Sequence, residues 1–367
     1  MNTFTYDALP GRVVFGVGIS HTQLASEIER LNIRRILVIA SIRDQALAKN
    51  LTAPFTDLVI GGFAEVRPHV PIEIAEQART LARALGADCL LAIGGGSAIG
   101  TAKAIALEQG QLIVAIPTTY AGSEMTPIYG LTIAQRKQTG RALVVLPRLV
   151  VYDPELTLSL PVSISGPSAM NAMAHCVEAF YGPAASPITS LIAEEGIRAL
   201  AHGVPLVVAQ PGDLAGRSET LYGAYLAGVS LAAAGTSFHH KICHILGGAY
   251  DLPHAELHTV VLPHAVAYLT PAMPDVMRRI ARALGVAGVV DEATTGELVA
   301  AAALSDLALA IGAPRGLREI GLAESELAAA ATLVFEQLPN DLPRPITQAA
   351  IMALLTNAFW GHRPGNL

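Results

Sequence analysis

Residues 237 to 264 read SFHHKICHILGGAYDLPHAELHTVVLPH and hold six of the chain's eleven histidines. An imidazole can ligate a metal, donate a proton or stabilise a developing oxyanion near neutral pH. Asn171 and His175 are four apart on a helical stretch, as are His240 and His244, so each pair shares a helix face. His254 follows Asp-Leu-Pro where the chain leaves the second helix. Two helices and a loop can bring His175, His240 and His254 around one point, which is how a three-histidine metal site is built. Taken singly, each histidine reads as a packed or surface residue; as a set they argue for a site. His202, His258, His264 and His362 read as packed or surface residues. Cys176 and Cys243 adjoin histidines in sequence and so point to other faces.

A second place for chemistry is LLAIGGGSAIGTAKAIAL, an apolar strand that runs into Gly94, Gly95, Gly96 and Ser97 and then a helix. Glycines let the backbone approach a pyrophosphate, and the helix N-terminus stabilises its charge. The spacing is not GxGxxG, and a tight structural turn is the alternative. A similar edge follows in IPTTYAGSEMTP, where Thr118, Thr119, Ser123 and Thr126 offer hydroxyls to a phosphate, ribose or carboxylate, or simply cap the next element.

The elements that must position these residues fall into two kinds. Apolar runs at 34–40, 57–63, 89–97, 112–119 and 142–154 alternate with helical stretches such as PIEIAEQARTLARALGA. That pattern predicts a parallel sheet covered on both faces. Beyond about residue 161 the strand signal fades into helices punctuated by Pro and Gly. The fold class read is an α/β dinucleotide-binding domain over 1–160 with a parallel sheet, plus an all-α domain over 161–367 that carries the histidines.

Of the 367 residues, 52% are hydrophobic and 15% charged, which argues for a large core and an oligomer. The net charge of -6, without a Lys/Arg run, gives no footprint for nucleic acid. The uncharged stretch 220–238 approaches the length of a membrane span, but its glycines and hydroxyls favour a helix buried in protein, so no membrane partner is expected. The start MNTFTYDALPGR lacks the pattern of a signal peptide, and Cys89, Cys176 and Cys243 form no secreted framework. A cytoplasmic location is expected.

GGGSAIGTAK, PTTYAGSEMTP, MNAMAHCVEA and HHKICHILGGAYDLPHAEL occur in that order, and together they resemble the iron-containing alcohol dehydrogenase superfamily, within it the maleylacetate reductases. The resemblance runs over nearly the whole chain, from TYDALPGRVVFGVG to LPRPIT. It implies a dinucleotide-binding domain, a helical domain, an active site in the cleft between them, and a homodimer. It also implies NADH or NADPH along Gly94, Gly95, Gly96, Ser97, Thr118, Thr119, Ser123 and Thr126. His175, His240 and His254 match the histidine ligands of metal-dependent relatives, and His244 matches a histidine near the nicotinamide.

Three departures modify that picture. Asn171 stands where metal-dependent relatives carry an aspartate ligand, which removes the only carboxylate counted in the site and predicts no catalytic metal. Gly100 replaces the aspartate of GGGSxxDxAK. Ser41 ends the strand ILVIA near where NAD-selective relatives place an acid against the ribose, so NADPH is expected to be tolerated beside NADH.

The expected reaction is reduction of the conjugated C=C of maleylacetate, a small dianion, to 3-oxoadipate. His244 and His254 are expected as donor or proton source. His175, His240 and Lys241 are expected as electrostatic clamps, and Asn171 and Tyr120 as substrate contacts. The alternatives are a metal-dependent alcohol or aldehyde dehydrogenase of the same superfamily, an NAD-using lyase of dehydroquinate synthase type, and a nucleotide-binding module without turnover.

Overall fold

A computed structural model describes residues 3–134, 136–286, 298–339 and 342–365. The chain divides into two compact units, Ala8–Leu160 and Pro161–Leu367, and the described residues up to Asp7 group with the second. This differs from the sequence expectation, which kept those first residues in the dinucleotide-binding domain.

The first unit runs β1 (Arg12–Phe15), α1 (Ile19–Thr22), α2 (Leu24–Arg30), β2 (Ile36–Ala40), α3 (Gln45–Thr52), β3 (Val59–Phe63), α4 (Ile72–Leu85), β4 (Cys89–Gly94), α5 (Gly96–Gln109), β5 (Leu112–Pro117), β6 (Ile128–Ile133), β7 (Arg136–Arg141) and β8 (Leu149–Tyr152). Six strands form one parallel sheet in the order β1-β8-β5-β4-β2-β3, while β6 and β7 pair apart as an antiparallel hairpin. Every residue of β2, β4 and β8 is buried. That is why these strands read as continuous apolar runs rather than alternating ones. On one face Val38, Leu91, Ile93 and Val114 meet Leu24, Ile28, Ala48 and Leu51.

The run 142–154 is not one strand. Pro147, which has no N–H to give to a ladder, separates a turn of 3-10 helix at Leu143–Val145 from β8. The strands β1, β6 and β7 lie outside the apolar runs singled out by sequence.

The second unit is helical: α6 (Val162–Glu178), α7 (Pro187–Ala209), α8 (Leu214–Ala234), α9 (Phe238–Tyr250), α10 (His254–Leu269), α11 (Pro274–Ala283), α12 (Val299–Ala310), α13 (Leu327–Gln337) and α14 (Gln348–Trp360). Ser186 and Thr189 form a capping box at the start of α7, and Asp213 accepts the N–H groups of Ala215 and Gly216 at the start of α8. The uncharged stretch belongs mostly to α8, which lies along α7 with Leu221, Ala224 and Ala227 buried. Among the described residues no helix is long and apolar enough to cross a membrane. The stretch TGELVAAAALSDLALAIG, 295–312, also reads as a helix; its residues 295–297 lie outside the described residues, and most of the rest forms α12.

The histidines sit on α6, α9 and α10, with α6 and α9 both in contact with α10. Asp251 takes a left-handed conformation, φ 49°, and ends α9. Three residues later His254 opens α10, so the turn is tight enough to return α10 against α9.

Leu91 is fully buried at the middle of the sheet. Leu91→Ala should cost about 2–5 kcal/mol through lost burial and the cavity left behind. Chemical denaturation should show this as a lower midpoint with an unchanged slope.

Candidate active site

The helical unit brings together more imidazoles than the sequence expectation named. Glu178, at the end of α6, is completely buried. It accepts the backbone N–H of Ser237 at 3.0 Å and of His240 at 3.2 Å, and its Oε2 lies 2.5 Å from Nδ1 of His240. Burial raises the pKa of such a carboxyl, but His240 and these hydrogen bonds outweigh it and bring Glu178 down to about 2. The ionised Glu178 therefore takes the Nδ1 proton of His240 as a hydrogen bond, which leaves Nε2 of that ring with a lone pair.

Four rings pack on His240. His175 stacks on it with centroids 4.4 Å apart, His258 lies at 4.5 Å, His239 at 5.2 Å and His244 at 5.8 Å. His254 joins the group through His258, at 4.4 Å, and His244, at 6.3 Å. His175, His239, His240 and His258 are buried, whereas His244 and His254 are exposed. Burial, and then the repulsion a proton would meet from neighbouring imidazoles, His240 first, lowers the pKa of His175 and His258 well below the usual histidine value and that of His239 to about 3.

These positions correct several expected roles. His258 is not a bland core residue; it lies between His240 and His254. His175 is buried and neutral at pH 7, so it cannot be a cationic clamp. Lys241 is exposed and is not among the groups that converge on His240; it follows His240 by one residue and points off that helix face. Asn171 is buried on α6 with its Oδ1 sealed from solvent, one turn from His175. Sequence reasoning passed over Glu178, three residues after His175, and His258, four after His254. Both spacings fall on a shared helix face, and that was the signal to use.

In the α/β unit, β4 ends at Gly94 and α5 starts on Gly95 with no side chain capping it, so its first N–H groups stay open to an anion. The N–H of Thr118 donates to the Gly94 carbonyl at 3.2 Å. A Cβ on Gly95 would meet Thr119 Cγ2 at 2.9 Å. The two loop edges therefore touch, and Gly95, Gly96, Ser97, Thr118, Thr119 and Ser123 all keep partly accessible surface.

Behind them Lys103 is buried. Its Nζ donates to the carbonyls of Ser123 (2.6 Å), Thr126 (2.7 Å) and Ile128 (2.8 Å) and to the Thr126 hydroxyl (3.0 Å). Thr126 is thus a buried anchor for the loop rather than an accessible cofactor contact. Tyr120 is completely buried and presents no accessible face to a substrate. At Gly100 a Cβ would come 2.8 Å from Val70 Cγ2, so an aspartate there would force the packing apart.

Ser41 Oγ donates to Asp44 Oδ2 at 2.5 Å, and a Cβ on Gly94 would lie 3.2 Å from that same oxygen. The acid judged absent at Ser41 is therefore supplied from three residues on, because the 3-10 turn Ile42–Asp44 folds back to the strand ends. The expectation of NADPH tolerance counted no acid here, whereas Asp44 stands beside Ser41 and Gly94.

Two family models match the chain: iron-containing alcohol dehydrogenase over residues 10–154 and the C-terminal part of the Fe-containing alcohol dehydrogenase family over 167–359. A maleylacetate reductase of Burkholderia cepacia is 47% identical over 365 residues, 99% of this chain and 100% of the relative. The crystal structure of maleylacetate reductase from Agrobacterium tumefaciens is similar with a TM-score of 0.93 and 44% identity, covering 99% of this chain and 100% of that one. That of Rhizobium sp. strain MTP-10005 is similar with a TM-score of 0.92 and 44% identity, again covering 99% and 100%.

The family match corrects the expectation of no catalytic metal, since this family implies iron beside NAD(P)H. The donor atoms fit such an ion. Asn171 Oδ1, His175 Nδ1 and His240 Nε2 are all buried without a hydrogen-bond partner, and His240 is backed by a carboxylate in the manner of a metal-bound imidazole. Asn171 brings no charge to the ligand position, but the buried carboxylate of Glu178 stands behind His240.

Asp44→Ala should shift cofactor preference from NADH toward NADPH. Loss of one charge-assisted hydrogen bond, about 1.5 kcal/mol, corresponds to roughly a tenfold change in the ratio of kcat/KM values. Arg43, exposed on the same turn, is a cation close in sequence to that position. An unchanged ratio in steady-state kinetics with both cofactors would show that Asp44 does not read the ribose.

Proposed function

The chain belongs to the iron-containing alcohol dehydrogenase family, and from that premise we infer that it is the NAD(P)H-dependent reductase of maleylacetate. The observation that carries this reading is the site's charge layout. A neutral Asn171 lies beside the imidazoles, and the nearby carboxylate of Glu178 is completely buried and already paired. Such a site does not present an anion to a dianionic substrate, whereas an aspartate at 171 would. Identity of 42–47% to maleylacetate reductases over nearly full length supports the same conclusion.

The reaction sets the tasks. Hydride from the nicotinamide adds to the alkene carbon next to one carboxylate, and the electron pair moves onto the ketone oxygen as an enolate. A proton then adds at the neighbouring carbon, giving 3-oxoadipate and oxidised cofactor. In the α/β unit the open N–H groups of α5 and the hydroxyls of Thr118 and Thr119 would take the cofactor's phosphates and ribose, with Lys103 holding their loop in shape.

In the helical unit His175 and His240, together with His254 by family resemblance, would hold the iron. That ion supplies Lewis-acid stabilisation of the ketone oxygen when bound. His244 is exposed beside His240 and is assigned the proton that reaches carbon. His175 and His240 are themselves buried, which keeps water from these two ligands.

The first test is NADH oxidation on addition of maleylacetate, run with and without ferrous iron after treatment with a chelator. Turnover of maleylacetate in preference to simple aldehydes is the expected result. If maleylacetate gives no turnover in either condition while aldehydes are reduced, the alcohol dehydrogenase reading holds instead. His244→Ala should lower kcat by about 10²–10⁴-fold, the usual range for a lost general acid, with the NADH dissociation constant nearly unchanged. A parallel loss of cofactor binding would remove His244 from the proton-transfer role.

A further inference from the structure

His258 was assigned no role by sequence pattern, yet it lies at the centre of the histidine group. Among the described residues its Nε2 is buried without a hydrogen-bond partner, as are Asn171 Oδ1, His175 Nδ1 and His240 Nε2. A sealed, unpaired polar atom costs about 1–3 kcal/mol. Four on three neighbouring helices are not explained by packing error at one residue.

The other nitrogen of His258 is engaged. Nδ1 lies 2.9 Å from Nε2 of His239, which is itself completely buried with Cys243 Sγ 3.8–4.0 Å from its ring nitrogens. One proton can occupy that short line. If Nδ1 of His258 donates it, the buried Nε2 of His258 keeps a lone pair; the opposite tautomer would leave a buried N–H with no acceptor. On that tautomer His239 accepts from Nδ1 of His258 as Glu178 accepts from Nδ1 of His240. The candidate ligand atoms of His239, His240 and His258 all lie within 4.8 Å of one another. His254, by contrast, is exposed, and its ring packs on His258 and His244.

We propose that His258 is a nitrogen ligand of the family's metal ion in this protein, taking the place of the carboxylate missing at Asn171, and that His239 is its positioning residue. The proposal rests on the family's use of iron but not on the identity of the organic substrate. It makes the donor set richer in imidazole than an aspartate-containing one. Imidazole serves iron, cobalt and zinc alike, so Co(II) can stand in as a probe.

The test is anaerobic titration of chelator-treated, full-length enzyme with Co(II), read by its visible absorption bands and by metal content after gel filtration. Wild type should take up one equivalent with bands of a nitrogen-rich site. His258→Ala should weaken Co(II) binding by about 10–100-fold and shift the bands, and His239→Ala by about tenfold, the scale seen when a ligand's supporting partner is lost. His264→Ala, on the same helix but outside the group, should change neither readout. Asn171→Asp placed in the His258→Ala background should recover most of the lost affinity. If His258→Ala does not fold by circular dichroism, His258→Gln carries the same comparison.

Unaltered Co(II) affinity and bands in the folded His258 variant would overturn the proposal. So would a wild type that takes up no Co(II). Either failure leaves the reductase assignment to be judged separately, by NADH oxidation with maleylacetate.

Discussion

The buried carboxylate of Glu178 is the constraint on which the helical unit's chemistry depends. An isolated carboxylate cannot be sealed from water without losing its charge. Here two backbone N–H groups from the start of α9 and the ring of His240 satisfy it. Those bonds tie the end of α6 to the beginning of α9 and fix which nitrogen of His240 carries the proton. Ring orientation then spreads by contact: His175 stacks on one side of His240, and His258 packs on it while bonded to His239. Removing the carboxylate would therefore disturb a tautomer, a helix junction and a stack together.

The α/β unit uses a buried charge of the opposite sign to the same end. Lys103 donates to three carbonyls and a hydroxyl within a short segment after β5. Burial lowers its pKa to about 7, against the pull of the buried Glu124. Satisfied in this way, the ammonium defines one shape for a loop that has little regular structure of its own. The hydroxyls of Thr118 and Thr119 and the open end of α5 keep their places because the backbone behind them is held. In each unit a buried ionic group spends its hydrogen bonds on backbone and leaves nearby polar atoms available for a ligand.

The exchange of aspartate for Asn171 acquires a physical sense in this setting. A carboxylate at that position would stand among the ligand atoms and repel a dianion. With Asn171 the charge nearest the histidines is the one on Glu178, on the far side of His240 and completely buried. The negative charge still orients the His240 ring through its Nδ1, yet it has no surface that a substrate could meet. One substitution can thus retain support for an electrophile while removing repulsion against an anionic enone.

Much of this was legible in the chain itself. Continuous apolar runs alternating with helical stretches read as strands covered on both faces, and the parallel sheet follows from them except at 142–154, where Pro147 splits a 3-10 turn from β8; Pro/Gly punctuation marked the later helices. Fourfold spacing placed His240 with His244 and Asn171 with His175, because a helix enforces that periodicity. What the chain could not disclose were relations set by packing between elements. Glu178 and His240 are 62 residues apart, and only the contact of α6 with α9 makes them a pair. His258 looked like any core histidine until α10 returned against α9, and Asp44 became the acid at the β2 edge only through a 3-10 turn. Local periodicity is a property of one segment and is written in its residues. Burial, protonation state and the partner of a side chain depend on what other segments bring to it, and tertiary structure alone decides that.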